Sequence, residues 1–172
     1  MMSPSPMQRD RSRVSVATCA FAATALLAAG CAKPPVVEPP APVTVAIELA
    51  ATPDVNPDPH GRASPITVRV YQLADATELG KADFFALWQQ DAAILGAAAL
   101  GRHEVALAPG ASGNVTFKLN PAMQSVGIVA AYRDFRKATW RVNVPVPAQP
   151  APGSTIRLAV SVTADAVTAQ WQ

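Results

Sequence analysis

Apolar and polar residues alternate along most of this chain. In residues 43–49, Val43, Val45, Ile47 and Leu49 fall on one face, with Thr44, Ala46 and Glu48 on the other. This period of two predicts a strand buried on one side. The alternation returns in 66–73, with Ile66, Val68 and Val70 opposite Thr67, Arg69 and Tyr71. It returns again in 114–119 (Val115, Phe117, Leu119), in 139–146 (Trp140, Val142, Val144 against Arg141 and Asn143), in 154–162 (Ile156, Leu158, Val160, Val162) and in 165–172 (Val167, Ala169, Trp171). Residues 102–107 form a further short strand before a turn at Pro109-Gly110. Residues 126–132 are almost continuously apolar, as expected of a central strand covered on both faces. The period changes once. Over residues 81–100, Phe84, Trp88 and Leu95 share a helical stripe with Phe85 and Ala92 beside it. Asp83 suits the N-cap, Asp91 begins a second turn or helix, and Gly96 or Gly101 ends it. About eight strands separated by turn signals, with one helical insertion after the second, predict a mainly β fold, a two-sheet antiparallel sandwich.

Two stretches break every pattern. Residues 51–65 contain Pro53, Pro57, Pro59, Gly61 and Pro65 among Asp54, Asn56, Asp58, His60 and Arg62. Neither helix nor ladder tolerates that density of proline. The segment is a long exposed loop, the type of connection that more often carries function. Residues 32–42 hold five prolines in eleven positions. They form a semi-rigid polyproline spacer of at most ~34 Å at ~3.1 Å per residue, or else an unstructured tail.

Before that spacer lies a basic start (Arg9, Arg11, Arg13), an uncharged run over 14–29, and the sequence Leu27-Ala28-Ala29-Gly30-Cys31. These are the parts of an export signal. The small residues before Cys31 resemble the lipobox of bacterial lipoproteins, with Leu27 one place earlier than the usual leucine. That resemblance implies cleavage before Cys31 and lipid on its sulfur. The competing reading is a transmembrane helix, but the run of 16 residues is shorter than the ~20 needed to span hydrocarbon. Cys19 follows Thr18, too large and polar for the cut site. Residue 32 is Ala rather than the Asp that retains many such proteins in the inner membrane, which implies an outer-membrane anchor facing the periplasm. The expected domains are therefore a signal peptide over 1–30, a lipidated Cys31 and proline-rich stalk over 31–42, and a β-sandwich over 43–172.

Removing residues 1–30 also changes the charge. They hold three of the 14 basic and one of the 12 acidic side chains, leaving 11 of each. A neutral domain has nothing to draw it to phosphates, so nucleic acid is excluded as a partner. Only Cys31 remains among the cysteines, so no internal disulfide forms, and lipidation accounts for an odd cysteine in an oxidising compartment.

Catalytic and metal chemistry find no footing. Asp54-x-Asn56-x-Asp58 opens like a calcium loop, but Pro59 stands where the sharp turn needs Gly and Pro65 where a bidentate Glu belongs. His60 and His103 lie on separate segments, and no thiol is left for zinc. Ser112, Ser125 and Ser154 sit in turns, without a Gly-x-Ser-x-Gly motif or a base beside them. No enzyme, cofactor or metal is expected beyond the lipid on Cys31. Two features stay open to alternatives. The Phe84/Phe85/Trp88 stripe either covers one face or end of a sheet or lines a pocket for a glycan or small ligand. Tyr132-Arg133-Asp134 either presents Arg133 to a partner or pairs it with Asp134 or another carboxylate at the rim; the ion pair is the simpler expectation. Trp140 is expected in the core.

Taken in order, Asn56-Pro57, Gly61-Arg62-x-Ser64-Pro65, Val68-Arg69-Val70-Tyr71-Gln72-Leu73, Ala82-Asp83-Phe84-Phe85-Ala86-Leu87-Trp88, Leu95-Gly96, Pro109-Gly110, Ala130-Ala131-Tyr132-Arg133-Asp134 and Trp140-Arg141 resemble the TssJ family (also called VasD or SciN). These are outer-membrane lipoproteins of the type VI secretion system. The resemblance spans about residues 43–172. It implies a transthyretin-like sandwich with an added helical portion and a structural role in the secretion membrane complex. The implied partner is the periplasmic C-terminal region of TssM, an inner-membrane protein that also binds TssL. The loop between the first two strands, here 51–64, carries much of that contact in the family. The implied binding residues are therefore Asp54, Asn56, Pro57, Asp58, His60 and Arg62, on a loop whose prolines reduce the entropy cost of docking.

Overall fold

A computed structural model describes residues 39–172. The signal peptide over 1–30, Cys31 and most of the proline-rich stalk over 31–42 lie outside the described residues. The alternating segments form eight strands: β1 (Thr44–Ala51), β2 (Ile66–Leu73), β3 (Ala99–Leu107), β4 (Ser112–Lys118), β5 (Ser125–Ala130), β6 (Arg141–Pro145), β7 (Thr155–Val162) and β8 (Val167–Trp171). Between β2 and β3 lie helices α1 (Thr77–Lys81) and α2 (Phe84–Leu95), followed by a single 3-10 turn. The strands make two four-stranded sheets, ordered β4-β1-β7-β8 and β3-β2-β5-β6. The fold is the expected mainly β, two-sheet sandwich with its helical insertion after the second strand.

The core is what the alternation demands. Val45, Ile47 and Leu49 from β1 and Leu158, Val160 and Val162 from β7 face Val68, Val70, Val126 and Ile128 from the other sheet, all of them buried. One pairing departs from the antiparallel expectation: β1 and β7 run parallel in the middle of their sheet. A period-two pattern sets which face a residue occupies and leaves strand direction undetermined.

The helices lie on the outer face of the β3-β2-β5-β6 sheet. There Tyr71, Leu73 and Val129 meet Leu79, Phe84, Leu87 and Leu95 in a second core. Every residue of β5 is therefore buried, as its continuous apolar run implies. Tyr71 is corrected from a polar-face residue to a buried one. Its hydroxyl donates to Asp91 Oδ2 at 2.9 Å, and burial, followed by that carboxylate, pushes the phenol up to about 12. Asp91 also accepts from Arg102 at 2.8 Å. Burial raises the Asp91 carboxyl, but Arg102 and Tyr71 outweigh it and hold it below its ordinary value. Arg69 completes the group, paired with Glu104 at 2.8 Å and lying 3.7 Å over the Trp88 ring. These charges fasten α2 to the sheet.

The expected helix over 81–100 is really several pieces. Asp83 caps α2 by accepting from the Ala86 N–H at 3.0 Å. The helix kinks at Gln90 (φ −134°, ψ 35°) immediately before Asp91 and stops at Gly96 with φ +49°. Ala99 and Leu100 belong to β3, where Ala99 pairs with Leu73, so that strand starts three residues earlier than expected. Trp140 is also corrected: it is half-buried, just before β6, and touches both cores without belonging to either interior. Of the three serines placed in turns, Ser112 and Ser125 instead open β4 and β5.

Gly127 is where the helical layer seats. A Cβ there would lie 2.8 Å from both Leu73 Cδ1 and Leu79 Cδ2. Gly127→Ala is expected to lower stability by about 1–3 kcal/mol through overpacking, read from the urea midpoint. An unchanged midpoint would mean that α1 lifts freely from the sheet.

Candidate functional site

The strand directions gather four connections at one end of the sandwich. They are the β1–β2 loop (52–65), the β3–β4 turn, the β5–β6 loop (131–140) and the β7–β8 turn. Strand β1 begins at the opposite end, one eight-residue strand away, or roughly 25 Å at ~3.3 Å per residue.

The β1–β2 loop is folded in spite of its prolines. Val55 is buried in the main core, and its carbonyl accepts from the Ser64 N–H at 3.0 Å. Further out, the Asp58 N–H donates to the Arg62 carbonyl at 2.8 Å, and Gly61 takes the left-handed φ of +82° that closes the tip. The Asp58 carboxylate organises that tip. Oδ1 accepts from the N–H groups of His60 (2.9 Å) and Arg62 (3.0 Å), and Oδ2 meets Arg62 Nε at 3.2 Å. The Arg62 N–H does most to hold the Asp58 carboxyl below its ordinary value; burial opposes it, and the His60 N–H and the Arg62 guanidinium add to the lowering.

Asn56 ties this loop to a second one. It is only 3% exposed and sits at φ +49°, a left-handed conformation that Asn tolerates better than most residues. Its Nδ2 donates to the Pro65 carbonyl at 2.9 Å, and its Oδ1 accepts from the Arg133 N–H at 2.8 Å. One side chain thus holds both the loop's own return and the start of the β5–β6 loop.

Between the two loops lies an open cleft of about 560 Å³. Asn56, Pro57, Asp58 and Pro59 form one wall, Tyr132, Arg133, Asp134 and Lys137 the other, and Asp165 of the β7–β8 turn closes the end. Tyr132 anchors the second wall, donating to the Thr163 carbonyl at 3.2 Å. Burial, and then the neighbouring Asp165, raises its phenol.

The six loop residues singled out in the sequence separate into two groups. Asp54, His60 and Arg62 are exposed, the last with 80% of its side chain in solvent. Pro57 and Asp58 are half-buried along the cleft, and Asn56 faces inward as a clamp. The second wall was visible in the sequence only as the Tyr132-Arg133-Asp134 cluster, and the ion pair expected there is corrected. Asp134 pairs with Lys137 at 3.1 Å, three residues on. Arg133 is exposed and makes no ion pair among the described residues. The aromatic stripe covers the outer face of a sheet. Phe84 stacks on Trp88 and Phe135 and meets Phe85 and Trp140 edge-on, at centroid distances of 4.9 to 5.8 Å. The rings fill one another's space, and among the described residues Phe85, 52% exposed, is the one large apolar side chain left open to solvent.

Residues 43–165 match the family model T6SS-SciN, described as type VI secretion lipoprotein, VasD, EvfM, TssJ. The fold is similar to the crystal structure of the T6SS lipoprotein TssJ1 from Pseudomonas aeruginosa, at 35% identity and a TM-score of 0.70, covering 78% of this chain and 98% of that one. It is similar to a chain of a structure described as a type VI membrane complex, at 28% identity and a TM-score of 0.64 over 74% of this chain and 97% of that one. A chain of the structure described as the T6SS protein TssM C-terminal domain from EAEC is similar at 26% identity and a TM-score of 0.59, covering 74% and 97% respectively. A search of curated proteins found no match.

The Asn56 clamp makes a direct prediction. Asn56→Gly keeps the left-handed backbone and removes both side-chain hydrogen bonds. It is expected to cost about 1–3 kcal/mol through the unsatisfied Pro65 and Arg133 backbone groups, measured by urea denaturation. A midpoint equal to wild type would show that water replaces the clamp without cost.

Proposed function

We infer the role of this chain from the family to which it belongs, the type VI secretion lipoproteins. The family is a structural component of the secretion apparatus and not an enzyme. We propose that lipid on Cys31 holds the chain in the inner leaflet of the outer membrane, with the sandwich facing the periplasm on its proline-rich stalk. There the β1–β2 loop binds the periplasmic C-terminal region of TssM, in a complex that also contains TssL. The chain then acts as the outer-membrane attachment of the secretion membrane complex.

One observation carries this reading: the folded, projecting tip of the β1–β2 loop. Asn56 and Asp58 order it before any partner arrives, which lowers the entropy cost of association. Its exposed side chains, Asp54, His60 and Arg62, lie at the end of the sandwich away from the start of β1. The similarity to chains in a type VI membrane complex and in a TssM C-terminal-domain structure is consistent with it. Multiple acyl chains on one cysteine would exceed the two needed for stable anchoring.

Replacing Asp58–Arg62 by two glycines leaves Val55, Asn56 and Ser64 in place. Titration of the full chain in detergent with the TssM C-terminal region of the same organism is expected to show binding lost, with the melting temperature close to wild type. Binding that survives the replacement moves the site elsewhere on the domain. Separately, Cys31→Ser is expected to abolish metabolic labelling by palmitate and release the protein from the membrane fraction. Continued labelling would refute the anchor.

A further inference from the structure

The cleft behind the loop tip has an unbalanced set of charges. Three of the five charged side chains that line it, Asp58, Asp134 and Lys137, are already engaged. Asp58 gives both oxygens to its own loop, and Asp134 is paired with Lys137. That leaves Arg133 on one wall and Asp165 at the end, each exposed and neither in an ion pair among the described residues. The Arg133 side chain is not needed for the fold, since the Asn56 clamp holds its backbone N–H.

We propose that the partner-binding surface is the whole two-walled cleft, and that it takes an extended segment of the partner that places a single carboxylate on Arg133, its main charged contact. This rests on the reading that this end of the sandwich binds TssM. A guanidinium without a partner is a ready bidentate receptor for a carboxylate. Asp165 selects a peptide over a free anion. It repels phosphate or a second carboxylate but accepts the backbone N–H groups that an extended segment offers. The volume of about 560 Å³ lies within the range of pockets that enclose a ligand. Asn56 acts as a positioning residue. Because it bonds to both walls, the loop tip and Arg133 move as one body, and a partner seated on the tip finds Arg133 already in place.

The test is a titration of the full chain in detergent with the TssM C-terminal region at several salt concentrations. It compares wild type with Arg133→Glu, Arg133→Lys and the tip replacement. Arg133→Glu is expected to weaken binding roughly tenfold or more and to flatten its salt dependence, at an unchanged melting temperature. Arg133→Lys, which keeps the charge and loses the fork, is expected to fall between. Wild-type affinity and salt dependence in Arg133→Glu, with binding lost in the tip replacement, overturns the composite cleft and leaves the loop reading standing. Absence of binding by wild type overturns both.

Discussion

Tyr71, Leu73 and Val129 lie on the outer face of the β3-β2-β5-β6 sheet, and a sheet with large apolar side chains on both faces must be covered on both. One face is met by the second sheet and the other by α1 and α2. The remaining architecture follows from that double burial. It sets the all-apolar composition of β5 and the absence of a side chain at Gly127, where Leu79 presses against the sheet. It also explains the dense charge network at the helix, because Arg69 and Tyr71 are drawn under α2 and need Asp91 and Glu104 to satisfy them. Among the described residues, the β4-β1-β7-β8 sheet has no such cover. Its outer positions carry Ser112, Asn114, Thr116 and the Glu48–Arg157 pair.

Much of this was legible from residue order. Half-buried strands write their inward face into every second position, so β2 and β7 and the inner residues of β1 could be placed almost to the residue. Other features leave no such trace. Strand direction does not alter a period of two, which is why the parallel β1–β7 pairing went unseen. Tyr71 carries a polar tip on an apolar body and so reads as either face. Helix α1 has five residues and no side-chain cap, too little to impose a period. Neighbours in sequence rarely face each other in a turn, and so Asp134 reaches Lys137 rather than Arg133. At the site, the loop was legible from its prolines. The clamp was not, because an asparagine among prolines looks like an ordinary turn residue until its two backbone partners are brought beside it.

The site itself depends on little. Segments separated by 77 positions, Asn56 and Arg133, are joined by one amide group, and the tip beyond is shaped by one carboxylate. Such an arrangement combines a variable, solvent-facing rim with a fixed base. The exposed side chains can change without disturbing the fold, while Val55, Asn56 and Ser64 bind the rim to the core. This division suits a lipoprotein family whose role is structural rather than catalytic.

Strand β1 starts at one end of the sandwich and runs directly into the loop at the other. It is hydrogen-bonded along its length to β4 on one side and β7 on the other. Tension applied between the chain preceding Val43 and the β1–β2 loop therefore acts along the strand axis. Such a pull loads the ladders on both flanks in shear, so that their hydrogen bonds resist together rather than parting one at a time as they would if the strand were peeled from an edge. The central placement of β1 makes the domain a mechanical clamp along the axis of that strand.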